Sequence, residues 1–284
     1  STRLATGKPR RRSNKMIVVL SSYMLRELLI GIQSVIEGSG YDMFVRYAPP
    51  GKPFDVQSLL ANRMIAGIIM TNIRLDAEDF SALAAKFPVI QCGQSIPYPN
   101  AFSVCSDDKQ IAYDVMMHLA ASGRRRIAFI GQVIYDIQYS NERKTGYLNA
   151  LRDLNIPFDP DLLVESARGF DGGQKAAAAL LALPEPPDAV LCVADDIAFG
   201  CVYELNRQKI AIPRTIAVAG INDQEYAHYS TPPLTTVHQA FEDIGAESAR
   251  VLLGQIRGKP ASGRRIFIEH TLVVRASTGG SVKD

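Results

Sequence analysis

The chain has 284 residues, with 31 Lys and Arg against 29 Asp and Glu, a formal net charge of +2 and 47% hydrophobic residues. This length suits two lobes, each able to bury its own core, and the mean hydropathy of +0.01 with 21% charged residues excludes disordered and fibrous classes. The charge is uneven, because Arg3, Lys8, Arg10, Arg11, Arg12 and Lys15 crowd the first segment with no acidic residue among them. Such a basic tail fits either a solvated arm or a phosphate-contacting linker.

The apolar run Met16 to Leu20 after this tail could open a signal peptide, but Arg26 and Glu27 interrupt it and no A-x-A-like cleavage site follows. No stretch approaches roughly 18 uninterrupted apolar residues. A soluble, cytoplasmic protein with no membrane partner is expected.

Short β-branched runs then alternate with helical patterns, the signature of βαβ units in a doubly wound parallel α/β fold. The expected order begins with strand 16–20, a Ser21-Ser22 turn able to cap, helix 23–37 ending at Gly38-Ser39-Gly40, and strand 41–46. Strand 66–70 precedes a helix from Asp76 to Lys86, then strand 89–92, a loop at 96–100, strand 101–105 and a helix 107–122 stopped by Gly123. A second series runs through strand 127–130, helix 141–154, strand 162–165, helix 172–183, strand 189–193, helix 196–207 and strand 215–220. A late helix 240–256 and an apolar segment 266–274 close the chain.

Nucleotide and nucleophile signatures (G-x-x-x-x-G-K-[ST], G-x-G-x-x-G after a strand, G-x-S-x-G) are absent. Cys92, Cys105, Cys192 and Cys201 lack C-x-x-C spacing, and His118, His228, His238 and His270 lack metal-ligand spacing, so neither metal nor cofactor is expected. The carboxylate pairs Asp107-Asp108 and Asp195-Asp196 each follow a strand, where open α/β sheets bind ligands. Helix capping is the alternative reading of Asp195-Asp196 and is compatible with a ligand role, and turn chemistry is the alternative for Ser21-Ser22 and Asn222-Asp223. The functional reading is that these strand-end polar groups bond the hydroxyls of a small polar ligand.

Pro232-Pro233-Leu234-Thr235-Thr236-Val237-His238-Gln239 resembles the P-P-L-T-T-[IV]-x-Q stretch of the lactose-repressor/galactose-repressor (LacI/GalR) regulators. In the matching order, Ala194 to Gly200 resembles A-[NS]-D-x-x-A-x-G and Ala217 to Asp223 resembles V-x-G-[FY]-[DN]-[DN]. Gly123 to Gly131, Glu142 to Tyr147 and Leu272 to Thr278 are similar to the family's G-H-[RK]-x-I, x-R-x-x-G-[YFW] and L-V-x-R-x-S-T segments. Together these matches cover most of the chain from Met16 to Thr278.

The resemblance implies a type I periplasmic-binding-protein-like core of two parallel-sheet lobes around an effector cleft, dimerisation through both lobes, and DNA binding by a helix-turn-helix headpiece missing from this sequence. It implies a linker at 1–15, an N-terminal lobe at 16–122 plus 239–262, a C-terminal lobe at 123–238 plus 263–278 and a tail at 279–284. Arg3 to Lys8 resembles the hinge R-x-L-x-T-G, which makes Leu4 the minor-groove wedge and Arg3 its companion on operator DNA. Carried over by position, Arg143 is the ligand-holding arginine. Asp107, Asp195 and Asn222 join it, the last two differing in type from the family's usual residues. The turn Ser21-Ser22-Tyr23-Met24-Leu25 is shorter than the family's, so Phe170 is the candidate aromatic wall. The expected function is a ligand-responsive transcription regulator, a homodimeric repressor sensing a sugar or sugar acid, and not an enzyme. A periplasmic-type sugar-binding protein is the first alternative and a sugar-acting enzyme the second.

Overall fold

A computed structural model describes residues 15–23, 25–49, 54–132, 138–259 and 264–280; the hinge-like Arg3 and Leu4 lie outside them. In chain order the elements are β1 (Met16–Ser21), α1 (Arg26–Ile36), β2 (Asp42–Tyr47), α2 (Val56–Ala61), β3 (Ile65–Thr71), α3 (Ala77–Lys86), β4 (Val89–Cys92) and β5 (Phe102–Cys105). Then follow α4 (Asp108–Ala121), β6 (Ile127–Gln132), α5 (Gln138–Asp153), β7 (Leu163–Ser166), α6 (Phe170–Leu181), β8 (Ala189–Cys192), α7 (Asp195–Arg207) and β9 (Ala217–Ala219). The chain ends with β10 (Thr236–Gln239), α8 (Phe241–Ile256), β11 (Arg265–Phe267) and β12 (His270–Val273).

The chain divides into two compact units, residues 1–105 with 240–268 and residues 106–239 with 269–284. The boundary therefore falls at 105/106 rather than at the expected 122/123. The reason is packing: α4 lies along α5, where a Cβ on Gly146 would overlap the carbonyl oxygen of Lys109. The expected apolar segment 266–274 is also two strands, β11 in unit 1 and β12 in unit 2.

Unit 1 is a six-stranded sheet, β11-β5-β4-β3-β1-β2, in which every pairing is parallel. Parallel sheets covered on both faces read as continuous apolar runs, and β1 shows why. Val18 and Leu20 join the core with Leu59, Phe80 and Leu83 of α2 and α3, whereas Ile17 and Val19 join Leu28, Ile32, Leu252 and Leu253 of α1 and α8. Helices α1 and α8 touch backbone to backbone, since a Cβ on Gly31 would overlap Glu242 O and one on Gly245 would overlap Leu28 O.

Unit 2 holds a four-stranded parallel sheet, β7-β6-β8-β9, and an antiparallel pair, β10-β12. Its core gathers Phe129, Tyr147, Leu180, Leu191, Ile197, Leu234 and Val237, all nearly or fully buried. Around this sheet α4 packs against α5 and α6 against α7. The amino ends of the strands are stitched by the predicted Arg124-Arg125-Arg126 run. Arg124 donates to the carbonyls of Pro213 and Thr215, and Arg126 to Glu185 O and to Asp159 Oδ2 at 2.7 Å. That motif is structural and leaves the opposite, carboxyl edge for function.

Candidate functional site

In unit 2 the neighbours β6 and β8 send their connections in opposite directions, β6 through α5 to β7 and β8 through α7 to β9. A crevice opens outside the carboxyl ends of strands at such a switch point. In unit 1 the switch point lies between β1 and β3, which lead to β2 and β4 in opposite directions.

Arg143, on the buried side of α5, reaches the unit 2 switch point. Its Nε donates to Asp108 Oδ1 at 2.7 Å, its Nη2 lies 2.7 Å from the same oxygen, and its Nη1 donates to Val193 O, just past β8, at 2.5 Å. The guanidinium carbon sits 5.0 Å from the centre of the Tyr139 ring, a cation–π placement, and the Tyr139 hydroxyl donates to Gln132 Oε1 at 2.6 Å. Burial raises the Asp108 carboxyl above its ordinary value while the neighbouring guanidinium pulls it down. Burial likewise raises Tyr139, against the pull of Arg143 and Arg168.

Asp195 opens α7 and is fully buried. Its Oδ1 accepts from Thr236 Oγ1 at 2.6 Å and its Oδ2 from the Gln224 N–H at 2.8 Å. A side chain at Gly220 would collide with Oδ1, so glycine there makes room for the carboxylate. Neither the capping nor the ligand-contact expectation for Asp195 matches this geometry: no side chain caps α7 at Ala194, and both oxygens are spent inside the fold. Asp196 instead accepts from the Ile197 N–H.

The loop that Asp195 grips carries Asn222 and Asp223 at φ 126° and 52°, left-handed conformations that Asn and Asp tolerate better than most residues. Asn222 N–H donates to Val237 O at 3.0 Å, and its Oδ1 accepts from Gln239 Nε2 at 2.8 Å. Asp223 Oδ1 accepts from Arg275 Nη2 at 2.7 Å, and the Asp223 N–H donates to Thr236 Oγ1 at 3.2 Å. Asn222 is thus held in place while it remains half-buried.

The other predicted residues are placed differently. Asp107 caps α4, accepting from the N–H groups of Lys109 and Gln110 at 3.1 Å each. Ser21 and Ser22 lie at the switch point of unit 1, but they do not cap α1, whose N-cap is Leu25; Ser21 Oγ donates to Tyr23 O at 2.6 Å and Ser22 Oγ to Asn72 O. Phe170 starts α6, is 43% exposed and packs on Tyr203 with ring centroids 5.3 Å apart. Phe170 follows the carboxyl end of β7, and its carbonyl lies against Gly200 of α7, so close that a Cβ there would overlap it. Sequence reasoning passed over Asp108, Tyr139, Thr236, Gln224 and Gln239. Asp108 was visible as the partner in a carboxylate pair, and Thr236 and Gln239 sat inside the quoted P-P-L-T-T stretch, but their bonds depend on long-range folding.

Burial pushes the Asp195 carboxyl up from 3.8 to about 6, with the Thr236 and Gln224 bonds opposing the rise. Because the folded chain holds this proton more tightly than the unfolded chain, the group favours folding most below pH 4, and that contribution is lost as pH rises through 6. Against Asp195→Asn, whose amide does not titrate, wild type therefore loses roughly 2–3 kcal/mol of relative stability between pH 4 and pH 7.5. Urea melts of both proteins across that range check this; a difference that stays flat with pH contradicts it.

Residues 116–278, more than half of the chain, match the family described as Periplasmic binding protein-like domain. The chain is 28% identical over 221 residues to the HTH-type transcriptional repressor CytR of Escherichia coli K12, covering 78% of this chain and 64% of that protein. It is 25% identical to the ribose operon repressor of Haemophilus influenzae, covering 92% of this chain and 79% of that one. A solved structure titled transcriptional regulator CelR-cellobiose complex superposes with a TM-score of 0.84 at 25% identity, over 95% of this chain and 86% of that chain. The chain thus spans about two thirds of the length of the CytR proteins it matches. It belongs to the periplasmic binding protein-like domain family, in the form carried by LacI-type regulators.

Proposed function

We propose that this chain is the effector-sensing part of a DNA-binding transcriptional repressor, and that a small polar ligand, a sugar or sugar acid, binds at the switch-point edge of unit 2. The observation that carries this reading is Arg143, a guanidinium fixed by Asp108, Val193 O and the Tyr139 ring beyond the carboxyl ends of β6 and β8. A fork held in one orientation loses little entropy when it binds a ligand's oxygens. Asn222 and Asp107 are the proposed neighbouring contacts, and Asp195 is a support for the 222–224 loop. Ser21 and Ser22 offer polar groups at the corresponding edge of unit 1, and Phe170, 43% exposed just past the carboxyl end of β7, is the proposed aromatic contact.

The relatives lend weight to this reading through their names: a ribose operon repressor, and a regulator in complex with cellobiose. Regulators of this kind act on DNA inside the cell, so a cytoplasmic location is part of the proposal; among the described residues no helix is long and apolar enough to cross a membrane. A binding module is favoured over an enzyme because Asp195 and Asp108 are tied to Thr236, Gln224 and Arg143 rather than set opposite each other as an acid and a base. Contact of Arg3 and Leu4 with operator DNA is proposed on the hinge resemblance alone.

Self-association is proposed through unit 2. Tyr226 and Tyr229 are 71% and 74% exposed, and their loop is tied to α7 by Asn206 Nδ2 donating to Thr231 O at 2.6 Å. Exposed aromatic groups of this kind mark interfaces. Wild type should sediment as a dimer and the double variant Tyr226→Ser, Tyr229→Ser as a monomer; a wild-type monomer at tens of micromolar overturns this.

The effector reading is tested by a thermal-shift screen of sugars and sugar acids, followed by calorimetry on wild type and Arg143→Lys. Lysine keeps a counter-ion for Asp108 but loses the planar fork. A ligand at about 100 times its dissociation constant should stabilise wild type by about 2.7 kcal/mol, and Arg143→Lys should bind it at least tenfold more weakly, about 1.4 kcal/mol. Equal binding by the variant contradicts the assignment.

A further inference from the structure

The chemistry at the unit 2 edge separates neutral from anionic ligands. Arg143 carries a permanent charge and is 3% exposed, so its charge requires an anion close by. Asp108 already supplies one: its Oδ1 lies 2.7 Å from both Nε and Nη2 of Arg143. Asp108 occupies the Nε–Nη2 edge of the guanidinium, and on its other edge Nη1 already donates to Val193 O.

The surroundings add negative charge. Glu142 and Asp107 lie near enough to act on Asp108, and Asp196 acts on Tyr139 together with Asp108, while Asp195 is buried beside them. On the positive side, Arg168 acts on Tyr139, and Lys109 lies 3.9 Å from Glu142. An arriving carboxylate would therefore meet a neutralised guanidinium among carboxylates, and like charges at close range oppose binding. A hydroxyl can donate to a carboxylate and accept from an N–H, so it suits both members of the pair without disturbing it.

We infer that the Asp108–Arg143 ion pair makes this edge selective for an uncharged, hydroxyl-rich effector over the corresponding carboxylate. The inference rests on the reading of this edge as the effector site and narrows its ligand class. Asp108 is the specificity-determining residue, and it acts both as a hydrogen-bond acceptor and by occupying the guanidinium.

Matched pairs test it by calorimetry on the whole chain: D-ribose against D-ribonate, D-glucose against D-gluconate, and D-galactose against D-galacturonate. For the pair that the protein recognises, wild type should bind the neutral member at least tenfold more tightly. Asp108→Asn, which keeps the shape and removes the counter-charge, should shift that ratio at least tenfold toward the acid, while Asp108→Glu should leave it on the neutral side. Circular dichroism establishes whether the Asn variant folds; if it does not, the wild-type ratio decides alone. Equal or tighter wild-type binding of an acid overturns the inference while leaving the effector site standing, and so does an unchanged ratio in folded Asp108→Asn. Silence from every pair removes the effector reading, and this inference with it.

Discussion

The Asp195 carboxylate, fully buried, is the constraint from which the functional edge of unit 2 follows. A buried charge is tolerated only with its bonds made, and here they come from two directions, the Thr236 hydroxyl on β10 and the Gln224 N–H in the loop after β9. The start of α7, the end of β9 and the start of β10 are joined through one side chain. The same contact explains Gly220, whose missing side chain is the space Oδ1 fills, and the left-handed backbone of Asn222 and Asp223 directly before the gripped amide.

On the other side of the switch point, Arg143 performs the matching task with the opposite charge. It links α5 to the start of α4 through Asp108 and to the end of β8 through Val193 O. Asp195 at the start of α7 and Arg143 on α5 flank the carboxyl edge of a parallel sheet whose amino edge is held by Arg124 and Arg126. The consequence is an edge with its polar groups already oriented, which lowers the entropy that a ligand must remove on binding.

Much of the fold was legible in the sequence because parallel strands buried on both faces read as unbroken apolar runs, as in Ile17 to Leu20 and Ala189 to Cys192, with helices between them. The short helix α2 and strand β10 escaped, the first for its length of 6 residues and the second because Thr236 to Gln239 is too polar to announce a strand. The division of the chain was misread at α4, since no local pattern reveals that its partner is α5. At the site, position was legible and role was not. Strand ends located Asp195 and Asn222, and the family resemblance located Arg143, yet only the folded chain shows Asp195 turned inward, Asp107 acting as a cap and Phe170 leaning on Tyr203. The most recognisable motifs serve as scaffold: Ser277 Oγ donates to Val218 O at 2.6 Å, and Thr235 N–H donates to Ser277 Oγ at 2.7 Å. Arg275 Nη1 donates to Leu234 O at 2.9 Å.

Amide hydrogen exchange with and without a stabilising sugar shows whether ligand engages the carboxyl edge of the unit 2 sheet. Protection is predicted in the segments 138–143, 193–197 and 221–224, with residues 209–216 at the opposite edge unchanged. Protection confined to the opposite edge, or absent from all three segments while the sugar is bound, would contradict the account.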